Sequence, residues 1–140
     1  MSLTGMVYNY SQEGYAWVKV NGVTAGSVLK KVAPGGVSGG ASICCFELPV
    51  GATQVEVQVE PSIGEGFTTT ATIEKWWPDL AHYGVVHILP GRKVVMEVTP
   101  SAPLPRKDLL EAQQKAQGLP VKVNFQIWAA GPIERTDGKK

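Results

Sequence analysis

The sequence predicts a mainly β fold: an antiparallel β-sandwich, or a partly open barrel, of about seven to nine strands with one helix. Three observations carry this. Valine occurs 18 times against 9 leucines, and β-branched side chains suit a pleated sheet better than a helix. Apolar and polar residues alternate over several short runs. Sixteen glycines and ten prolines lie between the runs as turn punctuation rather than gathered in a linker.

Three segments show the alternation most clearly. In Gln54–Glu60, Val55, Val57 and Val59 oppose Glu56 and Gln58. In Lys93–Thr99, Val94, Met96 and Val98 oppose Lys93 and Glu97. In Val121–Trp128, Val121, Val123, Phe125 and Ile127 oppose Lys122, Asn124 and Gln126. Each is the period-two pattern of a half-buried strand. Weaker strands are expected over Met6–Tyr10, Tyr15–Val20, Ser42–Leu48, Phe67–Lys75 and Val85–Leu89.

The connections have local causes. Asn21 and Gly22 both tolerate positive φ, which favours a tight reversal after Tyr15–Val20. Pro90-Gly91 suits a type II turn, with Pro presetting φ and Gly accepting the positive value. Pro49–Thr53 reads as a hairpin loop, and glycine-rich Ala33–Ala41 as a mobile surface loop. The helix is placed at Pro105–Gln117. Pro105 suits its first turn, and Gly118 followed by Pro120 stops it. The polar tail Glu134–Lys140 is expected to fray.

Length and charge bound the function. The 140 residues make one β-rich domain, large enough for a core without covalent staples. The net charge of +1 gives no basic excess for nucleic acid. No run of about 18 apolar residues is present to span a membrane as a helix. Two cysteines exclude a disulfide-dense scaffold.

Chemistry-bearing residues are few. His82 and His87 lack the companions that a metal site requires, so His87 reads as a structural histidine on the face of Val85 and Leu89. No cofactor or metal pattern is present. Asp79 and His82 are close in sequence, but no nucleophile and no G-x-S-x-G elbow accompany them. The run Pro34–Gly40 lacks the Gly-Lys-Ser/Thr ending of a phosphate loop. The expectation is a protein that is not an enzyme.

Cys44-Cys45 is the odd feature. Neighbours on a strand point to opposite faces, which would put Cys44 in the core with Phe46 and Leu48. Buried free thiols are the main reading and a vicinal disulfide is the alternative. Trp17 and Trp128 fall on the polar sides of their strands, and Trp76-Trp77-Pro78-Asp79 leads through His82 to Tyr83 in a loop. A second layer covering these aromatics is the plain reading. A protein-binding loop comprising Trp76, Trp77, Asp79, His82 and Tyr83 is the functional one, because tryptophan and tyrosine are enriched at interface hot spots. Carbohydrate stacking is a further alternative.

Four stretches, Gly5–Tyr10, Val18–Gly22, Gly39–Cys45 and Val86–Arg92, together resemble the DUF3304 family of small Gram-negative bacterial proteins. The glycine-rich run into Cys44-Cys45 is the most specific element, and the set spans residues 5–99. The resemblance implies an exported, lipid-anchored periplasmic protein, often encoded beside a type VI secretion phospholipase effector. It therefore implies an immunity protein that binds and silences that lipase, with no catalytic residue to transfer. An export signal and lipobox cysteine would precede such a domain. This sequence opens Met1-Ser2-Leu3, so a mature domain without its export segment is expected. The rival readings are a structural envelope lipoprotein that binds peptidoglycan or another envelope component, and a hydrolase with an unrecognised site.

Overall fold

The computed structural model describes residues 2–73, 81–100 and 105–121. Eight strands form one sheet: β1 (Ser2–Asn9), β2 (Tyr15–Val20), β3 (Val23–Leu29), β4 (Ser38–Glu47), β5 (Gln54–Pro61), β6 (Phe67–Ile73), β7 (Tyr83–Leu89) and β8 (Lys93–Thr99). Helix α1 (Lys107–Ala116) follows. The sheet order is β3-β2-β5-β6-β8-β7-β1-β4, and it curls until it nearly closes into a barrel. Most pairings are antiparallel, but β1–β7 and β6–β8 are parallel.

The interior is apolar because the strands alternate. Val55, Val57 and Val59 of β5 meet Val18 and Val20 of β2, Val86 and Ile88 of β7, and Met96 and Val98 of β8. Phe46 and Leu48 complete this core from the β4 side. Close approach sets two positions. A Cβ on Gly26 of β3 would lie 2.5 Å from Val7 Cγ2, and one on Gly5 would lie 2.9 Å from the Ala25 backbone. The two sides of the curled sheet touch there without room for a methyl group.

A second core lies outside the sheet. Met6 and Tyr8 of β1, Tyr10 just after it, and Val85 and Leu89 of β7 face away from the interior and pack under Leu110 of α1. The ribbon β1–β7–β8 is therefore buried on both faces, which explains the continuous burial of Val85–Leu89.

Several expectations are refined. The Asn21-Gly22 reversal forms with φ of 49° and 81°, joining β2 to β3. Strand β3 itself is an addition, since Thr24-Ala-Gly-Ser27 shows no apolar alternation. The segment read as a mobile loop, Ala33–Ala41, is half strand: β4 begins at Ser38. Gly39 and Gly40 take φ of 113° and 99°, and their bare Cα atoms press on Val7 and Tyr8. The Pro90-Gly91 turn takes in Arg92 as a third residue, with Gly91 and Arg92 both at positive φ. Helix α1 starts two residues later than expected, with Arg106 as its N-cap. The expected strand Val121–Trp128 lies outside the described residues beyond Val121, as does the tail Glu134–Lys140.

The cysteine reading is corrected. Cys44 and Cys45 are joined as a disulfide rather than left as free thiols. Cys44 is exposed and Cys45 half-buried, so neither is a core residue. The peptide between them is cis.

Candidate functional site

The loop singled out from the sequence is described only in part. Trp76, Trp77 and Asp79 lie outside the described residues, as does Trp128. His82 is exposed and Tyr83 half-buried. The His82 carbonyl accepts from Thr4 N–H at 2.9 Å, and its own N–H donates to the Thr99 carbonyl at 3.1 Å. His82 thus links β1 to β8 at one end of the barrel. Trp17 is half-buried, with Lys19 Nζ 4.7 Å from the centre of its ring.

The other histidine sits in a polar chain that the sequence reading missed. On the outer face of the ribbon, Tyr10 Oη lies 2.8 Å from His87 Nδ1, and His87 Nε2 lies 2.7 Å from Glu97 Oε1. Tyr10, His87 and Glu97 are at most 2% exposed. Tyr10 Oη also accepts the backbone N–H of Arg106 at 3.1 Å, at the start of α1. With a neutral imidazole and an ionised Glu97, the Tyr10 hydroxyl gives its hydrogen to Nδ1, and Nε2–H faces the carboxylate. Tyr8 stacks on the same imidazole, with ring centres 5.8 Å apart. Burial pushes the Tyr10 hydroxyl far above the ordinary tyrosine range and raises Tyr8 as well, with Glu97 adding to both.

Strand pairing brings this chain together. In the β7–β8 hairpin, His87 pairs with Val95 and Val85 with Glu97, so His87 and Glu97 are diagonal neighbours on one face. The hairpin turn at Pro90-Gly91 could have supplied that register from the sequence. The arrangement unites three positions of acid–base chemistry, but all three side chains are buried, with Leu110 of α1 in the same cluster and the Arg106 backbone bonded to Tyr10. Arg106, 2% exposed, carries a two-point ion pair with Asp108 over the same region. Among the described residues, no group of three or more His, Cys, Asp or Glu side chains is placed to hold a metal ion.

At the opposite end of the barrel, the β1–β2 loop is organised by Asn9, whose Oδ1 accepts from the Ser11 N–H at 2.9 Å and hydroxyl at 2.8 Å. Its Nδ2 donates to the carbonyls of Glu13 and Lys30. Arg92 binds three loops together. Its Nη2 is 3.1 Å from Glu13 Oε1, its Nη1 donates to the Glu65 carbonyl, and its guanidinium lies 5.0 Å from the Phe67 ring centre. This contact holds the Glu13 carboxyl below the usual carboxylate range.

Beside these loops runs a groove of about 1020 Å³. Exposed Val28 and Ile63 line it together with exposed Lys30 and Lys31, and the buried Tyr15 and Leu29 lie behind them. Val28 is 78% exposed and Ile63 90% exposed. Val28 adopts φ of 52°, a left-handed conformation that a β-branched residue rarely takes. The flip places Ser27 and Val28 both outward, while Leu29 returns to the interior. Nothing in the sequence pattern marks this, because an extended Val28 would have alternated with Ser27.

No known family, curated protein or solved structure matches this chain.

Proposed function

We propose that this chain is a protein-binding domain without chemistry of its own. Following the DUF3304 resemblance, we read it as a periplasmic immunity protein that inhibits a type VI secretion phospholipase effector, its precursor held by a lipid anchor. One contrast carries the non-catalytic part of this reading. The Tyr10–His87–Glu97 chain is buried beneath α1, whereas the apolar groove and its lysines are open to solvent. A catalytic acid or base must come within about 2.6–3.2 Å of the group it serves, and no substrate reaches a side chain closed off in this way. A rigid barrel with shaped loops is the form of many protein inhibitors. A standard inhibitor interface buries about 1,600 Å² in total, within the reach of a domain of this size.

The test mixes the purified domain with the phospholipase encoded beside its gene and follows lipid hydrolysis against molar ratio. Stoichiometric loss of hydrolysis is expected. Undiminished hydrolysis with no complex on sizing would reject the lipase as partner and put the envelope-lipoprotein reading first.

A further inference from the structure

We infer that the groove between Val28 and Ile63 is a docking site for a protein partner that presents an apolar side chain flanked by carboxylates. The inference rests on the protein-binding reading above and places its contact. Three observations point there.

The first is exposure. Val28 and Ile63 are among the most exposed large apolar residues in the described chain, and they flank a single groove. They come from different elements, β3 and the β5–β6 loop. Isolated exposed apolar residues need no explanation, but two converging on one concave surface form a patch.

The second is strain. Left-handed φ is costly for a β-branched residue, and such costs gather where a side chain must be aimed. Here the unusual φ aims Val28 out of the barrel at the groove's edge.

The third is charge. Lys30 and Lys31 are exposed on the rim, while the nearby anion, Glu13, is engaged by Arg92. The rim is therefore complementary to carboxylates, which would steer an acidic partner segment and fix its orientation. The exposed side chains of Val28 and Ile63 supply the apolar contact for an aliphatic or aromatic anchor.

This site lies at the barrel end opposite His82. Strand β5 runs from Gln54, beside β6 residue Thr72, to Pro61, beside Tyr15 and the groove. His82 bonds to Thr4 and Thr99 at the far end.

Two experiments test the proposal. A library of random linear peptides is displayed and selected on the whole domain, then re-screened on Ile63→Asp and on Lys30→Glu/Lys31→Glu. Enriched peptides should carry Leu, Phe or Trp beside Asp or Glu. Their affinity should fall at least about thirty-fold on Ile63→Asp. Because Ile63 is 90% exposed, that variant should melt with the parent, which circular dichroism checks. No enrichment, or enriched peptides that bind Ile63→Asp unchanged, would overturn the docking site. The second experiment repeats the lipase titration with Ile63→Asp, with Trp76→Ala/Trp77→Ala and with His82→Ala. Wild-type inhibition lost on Ile63→Asp and kept on His82→Ala supports the groove. Inhibition kept on Ile63→Asp and lost on Trp76→Ala/Trp77→Ala would place the contact at those tryptophans and overturn the groove. A lipase that ignores the wild type would reject the immunity reading while leaving the peptide result to decide the groove.

Discussion

The two faces of the β1–β7–β8 ribbon are both buried, yet they are built differently. The inner face is apolar: Leu3, Val7, Val86, Ile88, Met96 and Val98 meet the interior core. The outer face carries Tyr10, His87 and Glu97 among Met6, Val85, Leu89 and Leu110. The inner face gains from area removed from water and tolerates no void. The outer face depends on each polar group meeting a partner, since an unmatched one in a dry site costs far more than its bond contributes. One face fills space, and the other fixes where the helix lies, because Tyr10 ties the Arg106 backbone to the sheet.

The largest effect should come from the inner face. Phe46→Ala, at 1% exposure, is expected to cost about 3–5 kcal/mol through lost transfer energy and a cavity. Denaturant unfolding measures this. A loss below about 1 kcal/mol would mean that the interior is not close-packed there.

The outer face should show a different pattern. Glu97→Leu alone leaves the His87 Nε2–H without its acceptor and should cost about 3 kcal/mol. Combining it with His87→Leu should recover part of that loss, as replacing both buried partners by apolar groups often does. A double-mutant cycle gives the coupling directly. Strictly additive losses would mean that the two side chains do not act as a pair. Tyr10→Phe removes the bridge to α1 and should cost about 1–3 kcal/mol, with faster hydrogen exchange in α1 than in β5.

The tyrosines give the same face a pH signature. Tyr8, Tyr10 and Tyr15 are all raised by burial. In the unfolded chain they ionise near pH 10, while the folded protein keeps them protonated to higher pH. Their contribution is complete below about pH 10 and falls as pH rises above it. Thermal melting across that range should show the decline, along with a delayed phenolate absorbance. Ionisation of Tyr8, Tyr10 and Tyr15 together at the ordinary value would contradict their burial.

The groove end should respond least. Val28→Gly removes the penalty at φ of 52° and should leave stability unchanged or raise it by about 1 kcal/mol. Glu13→Gln breaks an exposed pair with Arg92 and should cost no more than about 1 kcal/mol. The same pair should weaken only in acid. The Glu13 carboxyl is held low by Arg92, so its contribution is present above the ordinary carboxylate range and fades as pH drops through its lowered value.

This contrast also shows how far the sequence could be read. Val55, Val57 and Val59 announce an interior strand because alternation survives in the linear chain. Glu97 appears there only as the polar partner of Met96 and Val98. Its meeting with His87 depends on hairpin register, and its burial depends on a helix that follows later in the chain. The Gly5–Tyr10, Gly39–Cys45 and Val86–Arg92 stretches look unrelated in sequence. In the fold, Tyr8 and Tyr10 pack on His87 while Gly40 presses on Tyr8. The groove was hidden for another reason. Val28 reads as one more strand valine, and only its backbone angle turns it outward.

The central claim is that the acid–base chain is closed to substrate and serves the architecture. The most direct test is a nitrogen-15 spectrum of the imidazole of His87 at neutral pH. The account predicts an unprotonated Nδ1 facing Tyr10 and an Nε2–H bonded to Glu97 that exchanges slowly with water. A ring that exchanges freely with solvent would contradict it.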